Sequence, residues 1–239
     1  MIKIKNSIMS NTERFRFEDE DLDFPIYNKN PHIPKIGWVI LFIAVFVGFI
    51  FTLGSKITSG IIGAAIMLIP LLYFLKWDYK LIFQKPKAKD IALAVALFVG
   101  YIIYGLIVGS LLEQVGIVVS TADSAAATST LADIPPLIFS LMGEELVKFI
   151  PFMFFLRLFF KYTENRKLSV IISMLIIMVF FGALHSFDLN TFIFALFVQG
   201  LGSIFEFYGY IKTKNLLISY ITHLCTDVSI YLIAILGFA

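Results

Sequence analysis

Three short patterns, each inside an apolar stretch, hold the residues that could do chemistry. They are Glu144-Glu145 with Lys148, Phe181 with His185 four residues on, and His223 with Asp227 four residues on. An ionisable group at the centre of a bilayer is costly, so such groups usually face a partner or a wet cavity and mark function. Acids, a Lys and two His are suited to activating a water molecule. On a helix the side chains of Glu144 and Glu145 point about 100° apart. Lys148 is one turn on and can reach either. One carboxylate can then be held by the ammonium while the other serves as a base. The plainer alternative is a structural Glu144–Lys148 pair that locks this helix to its neighbours.

Phe181 and His185 share a helix face, as do His223 and Asp227. A lone His near a span end is often just solvated, and Ser186 and Asp188 beside His185 suit the end of a span. A His–Asp pair one turn apart can orient an imidazole or act at a developing oxyanion, or it can be a polar clamp between helices. Zinc is a further option, with His185, His223 and Glu144 as ligands. There is no HExxH helix, and glutamate-activated water needs nothing beyond the residues present. The metal-free version, with no cofactor, is therefore preferred.

These residues need helices that cross a membrane. The 239-residue chain is 59% hydrophobic and 15% charged, with a mean hydropathy of +0.89. A soluble domain carries about 25% charged residues. The sequence predicts an all-α polytopic transmembrane bundle of about seven spans: Ile36–Leu53, Ser59–Leu75, Ile91–Leu112, Ile134–Phe160, Leu168–Phe187, Thr191–Tyr210 and Asn215–Leu236. Each is close to the length that crosses about 30 Å of hydrocarbon. Of the Lys and Arg outside the spans, all but Lys56 fall on one side of this alternation. That places the N-terminus in the cytoplasm and the C-terminus outside the cell membrane. The single Cys225 excludes an internal disulfide, and a net charge of +2 does not suggest nucleic acid. The first apolar run begins near Ile36 behind a charged segment, unlike a cleavable signal peptide.

Residues 1–35 read as a flexible cytoplasmic tail, with Glu18-Asp19-Glu20-Asp21 and the lone remaining His32. Residues 36–239 form the transmembrane domain, with 134–239 as its catalytic core. The small polar stretch 120–133 reads as an outer loop or a partly inserted segment. Glu206 is a further intramembrane acid that either lines the cavity or, the preferred reading, snorkels toward Lys212 or Lys214. Gln199 reads as an interhelical hydrogen bonder.

The order Gly143-Glu144-Glu145, then Phe181-Gly182-Ala183-Leu184-His185, then His223-Leu224-Cys225-Thr226-Asp227 resembles the CPBP family. These are intramembrane proteases of CAAX and bacteriocin processing, also called Abi. The run Tyr210–Leu217 is similar to the family's link into its last motif, and the resemblance covers residues 139–239. It implies that Glu144, or otherwise Glu145, activates water together with His185, and that His223 and Asp227 bind the oxyanion. The family's first motif is EExxxR. Here Phe149 takes the Arg position and Lys148 stands one residue earlier. EExxK belongs to a related membrane-protease family, but that family has an acid where this chain has His185.

The implied reaction is hydrolysis of a peptide bond in a hydrophobic or lipid-modified precursor peptide. Acyl transfer on lipoproteins and a non-catalytic bacteriocin self-immunity role are the alternatives. One conflict stands against a shared site. Counted from the cytoplasmic end, His185 lies roughly 26 Å along its span and His223 roughly 12 Å along its own.

Overall fold

The computed structural model describes residues 14–19, 21–27, 33–117, 130–186 and 188–237. His32 and residues 120–129 of the small polar stretch lie outside this set. The described residues contain helices and no strand. In chain order the helices are α1 Lys35–Thr52, α2 Ile57–Phe74, α3 Ala88–Gln114, α4 Ile134–Thr163, α5 Arg166–Leu184, α6 Leu189–Ala195, α7 Ile204–Thr213 and α8 Leu216–Ile235. A π turn, Leu196–Gly200, and a 3₁₀ turn, Leu201–Ser203, join α6 to α7, so residues 191–213 act as one interrupted span. Six segments are long and apolar enough to cross a membrane. The remaining long helix, α4, carries Glu144, Glu145 and Lys148 in mid-course and two prolines in its first turn. An N-terminal proline costs nothing there, because its missing N–H would have no partner within the helix.

This polar helix is the one most enclosed by others, packing on α1, α2, α5 and α8. Its middle, Glu145–Met153, is buried without a break. Small residues let the neighbours approach. A Cβ on Gly48 of α1 would stand 2.8 Å from the Gly63 carbonyl oxygen of α2, and one on Gly182 of α5 would stand 2.8 Å from the Leu196 backbone. Such contacts replace the hydrophobic effect between helices within lipid.

Two of the interhelical turns use the same local chemistry. In Thr163-Glu164-Asn165 and Thr213-Lys214-Asn215 the middle residue is left-handed, with φ of 50° and 52°. Each Thr hydroxyl donates to the carbonyl four residues back, Phe159 at 2.9 Å and Gly209 at 2.7 Å, and accepts from the following Asn N–H. Each Asn side chain then caps the next helix, accepting from Leu168 N–H or Leu217 N–H. The turns differ in depth. The first is exposed and the second buried.

The buried turn is roofed by the N-terminal segment and by residues 82–84. Lys214 and Arg166 both bind Glu18, and Arg166 also donates to Asp23 at 3.0 Å. Asp19 N–H donates to the Lys212 carbonyl at 2.9 Å, and Leu216 N–H to that of Ile82 at 2.9 Å. Phe24, Ile26 and Tyr27 join the main core. Residues 14–19 and 21–27 are therefore packed rather than trailing as the expected flexible tail. The reason is electrostatic as well as apolar, since Arg166 has no exposed surface and needs the Glu18 carboxylate beside it.

Candidate active site

The motif residues come from α4, the end of α5 and α8. Glu145 is buried and its carboxylate is saturated. It faces His223 Nδ1 at 2.8 Å, accepts from Ser219 Oγ and pairs with Lys148 Nζ. Ser219 and His223 are one turn apart on α8, so both reach α4 from one face. Glu144 points elsewhere. Its side chain is 21% exposed, and its Oε2 lies 3.9 Å from His223 Nε2. Asp227 Oδ2 is 3.8 Å from the same nitrogen. His223 thus stands between two carboxylates at Nε2 and a third at Nδ1.

His185 occupies the C-cap of α5. Its Nδ1 lies 2.8 Å from the Phe181 carbonyl oxygen. A carbonyl only accepts, so Nδ1 carries a hydrogen, and in the neutral imidazole Nε2 is then the acceptor. The Phe181 ring lies between the two imidazoles, 4.6 Å from His185 and 6.2 Å from His223 by ring centres, and its face receives Lys148 Nζ at 4.6 Å. Glu144, Glu145, Lys148, Phe181, His185, His223 and Asp227 therefore share one neighbourhood. The offset counted along the spans does not keep the motifs apart, since Phe181 of α5 and His223 of α8 meet at 6.2 Å between ring centres.

Two pairings that the sequence leaves open are decided by the fold. Lys148 does not pair with Glu144. It bridges Glu145 and Glu206, both buried. Glu206 correspondingly does not snorkel, because Lys212 donates to the Phe17 carbonyl at 3.1 Å and Lys214 binds Glu18. An acid within an apolar span was the signal for Glu206, but its partner lies 58 residues away on another helix. Ser219 gave no signal beyond its place one turn before His223. Gln199 Oε1 is buried and has no hydrogen-bond partner among the described residues.

A cavity of about 10 Å³ adjoins Glu145, Lys148, Glu206 and Ser219, enough for a single water. Among the described residues, Glu145, Glu206 and His223 offer ligand atoms within 4.8 Å of one another. This is not the trio expected for zinc, since it replaces Glu144 and His185 by Glu145 and Glu206. The Lys148 ammonium already lies between the two carboxylates of that group, where it supplies the positive charge a cation would bring.

Residues 130–229 match the family model of type II CAAX prenyl endopeptidase Rce1-like proteins. The match contains all three motifs, agrees with the CPBP resemblance and leaves α1–α3 outside. No curated protein and no solved structure gives a significant match. The chain is thus a multi-pass membrane protein whose second half is similar, at family level, to CAAX-type intramembrane proteases.

Proposed function

We propose that this protein is an intramembrane endopeptidase in which Glu144 is the general base. The observation that carries the reading is the division of labour between adjacent glutamates. Glu145 is saturated by His223, Ser219 and Lys148, whereas Glu144 keeps an accessible carboxylate facing the same imidazole. Glu144 takes a proton from water, and the water oxygen adds to the scissile carbonyl. The free Nε2 of His185 accepts a hydrogen bond from that water and orients it. As the imidazolium, His223 donates from Nδ1 to Glu145 and from Nε2 to the oxyanion, with Asp227 alongside. Collapse of the tetrahedral adduct breaks the C–N bond, and Glu144 returns the proton to the leaving amine.

The substrate class is a hydrophobic or lipid-modified precursor peptide in the cell membrane, with the protein's N-terminus in the cytoplasm. No metal enters this reaction, and the Lys148 ammonium between Glu145 and Glu206 supports that. The test compares new peptide termini in cells carrying active protein or Glu144→Gln, followed by incubation of purified protein with the peptide found, in ¹⁸O-labelled water. Hydrolysis places solvent oxygen on the new carboxylate. Product formed without the label is acyl transfer and ends the protease reading. Loss of cleavage on chelation, restored by zinc, ends the metal-free one.

A further inference from the structure

On the outer face of α1 and α4, away from the motif residues, lies a groove in two adjoining parts of about 540 and 330 Å³, which share Lys35, Trp38 and Phe154. One part runs along α1 over Phe42 and Phe46. The other opens over Arg157 and Lys161, one turn apart on α4. None of the lining residues is acidic. The floor is built. The Phe154 ring meets Trp38 edge-on at 5.2 Å and Phe42 at 5.1 Å. From Lys35 to Phe46 the groove follows α1 for roughly 16 Å, about half the hydrocarbon thickness of a bilayer. Its basic end is the end of α1 at which the chain enters the bundle.

We propose that this groove binds one anionic phospholipid of the leaflet on the N-terminal side. The headgroup phosphate is held by Lys35 and Lys161, and an acyl chain lies along Phe42 and Phe46. Two lysines at one end match the headgroup charge. The apolar length matches one leaflet's chain, and an aromatic at the junction suits the membrane interface. A zwitterionic lipid fits the apolar part equally well but gains little from the cations. The inference does not depend on the reaction proposed above.

Trp38 reports occupancy directly. In a Trp77→Phe background it is the only tryptophan, since the chain has two. The full chain is reconstituted in phosphatidylcholine vesicles with a trace of chain-brominated phosphatidylglycerol or chain-brominated phosphatidylcholine. Quenching of Trp38 is expected at roughly tenfold lower content of the anionic lipid. Lys35→Gln/Lys161→Gln is expected to bring the two lipids to parity. That variant leaves Arg157, which donates to the Ile26 carbonyl, in place to hold the N-terminal segment, and an unchanged thermal midpoint verifies its fold. Excess glycerol phosphate, which has the headgroup charge but no chains, is expected not to relieve quenching. The proposal is overturned by equal quenching in the parent, by preference that survives the double substitution in a folded protein, or by relief with glycerol phosphate.

Discussion

His223 Nδ1 lies 2.8 Å from Glu145 Oε1, across 78 residues and between α8 and α4. The second of the two adjacent glutamates is therefore the one that holds the imidazole, and the first faces the other nitrogen with room to spare. This relationship separates the roles of two residues that the sequence presents as a pair.

The two glutamine substitutions should accordingly differ. Glu144→Gln is expected to reduce turnover by roughly 10²–10⁴-fold, the range for loss of a general base, with a thermal midpoint close to the parent's. Glu145→Gln should lose activity and also destabilise by about 3–5 kcal/mol, because Lys148 is left as a buried charge with weaker compensation. Thermal unfolding in detergent beside the peptide assay separates them. Equal destabilisation by both would contradict the assignment.

The Lys148–Glu206 pair should behave as a buried unit. Glu206→Gln and Lys148→Met are each expected to destabilise, since each strands the partner's charge away from water. The double variant should recover part of the loss, giving a favourable coupling of about 1–3 kcal/mol. Additive effects in the double-mutant cycle would show that the two do not interact.

The two histidines should also part company. His223 is buried against three acids, and His223→Ala is expected to cost both activity and stability. His185 is half-buried at a helix end, hydrogen-bonded to a backbone carbonyl. His185→Ala should abolish turnover while shifting stability by less than about 1 kcal/mol. A large loss of stability for His185→Ala would make its role structural.

The N-terminal segment carries a pH dependence. Burial alone would raise the Glu18 carboxyl, but the Arg166 and Lys214 charges outweigh it and hold Glu18 below its ordinary value of 4.5. A depressed carboxyl contributes stability that is present above 4.5 and lost as pH falls through its folded value. The midpoint difference between the parent and Glu18→Gln should therefore be full near neutrality and shrink below pH 4.5. Glu18→Gln should also admit protease to residues 14–27 at neutral pH. A difference that grows on acidification would reverse the sign.

At Lys214 the direction is opposite. Burial brings its amine down to about 8, against an ordinary 10.5, although Glu18 pulls it up. Between those values the unfolded chain binds more protons than the folded one. The stability of the parent relative to Lys214→Met should thus rise from pH 8 toward 10.5, as followed by denaturant midpoints.

Much of this protein was legible in one dimension. Apolar runs of bilayer length determined the seven long helical segments, because lipid leaves a backbone no other partner for its polar groups. Ionisable residues inside those runs marked the candidate site, because hydrocarbon tolerates them only beside one another. The two Thr-x-Asn turns were not read from the sequence, although the hydrogen bonds that build them are local. The depth at which each turn sits was decided only by the tertiary structure. The same three-residue device is exposed after α4 and buried before α8, where Glu18, Phe24 and Ile82 cover it. The partner of Lys148 was likewise settled in three dimensions. Two carboxylates lay within one helical turn of it, yet it bridges the second of these to Glu206 from a second helix. Spacing along a chain limits which side chains can meet, but the choice among them depends on which helices close around the charge and exclude lipid from it.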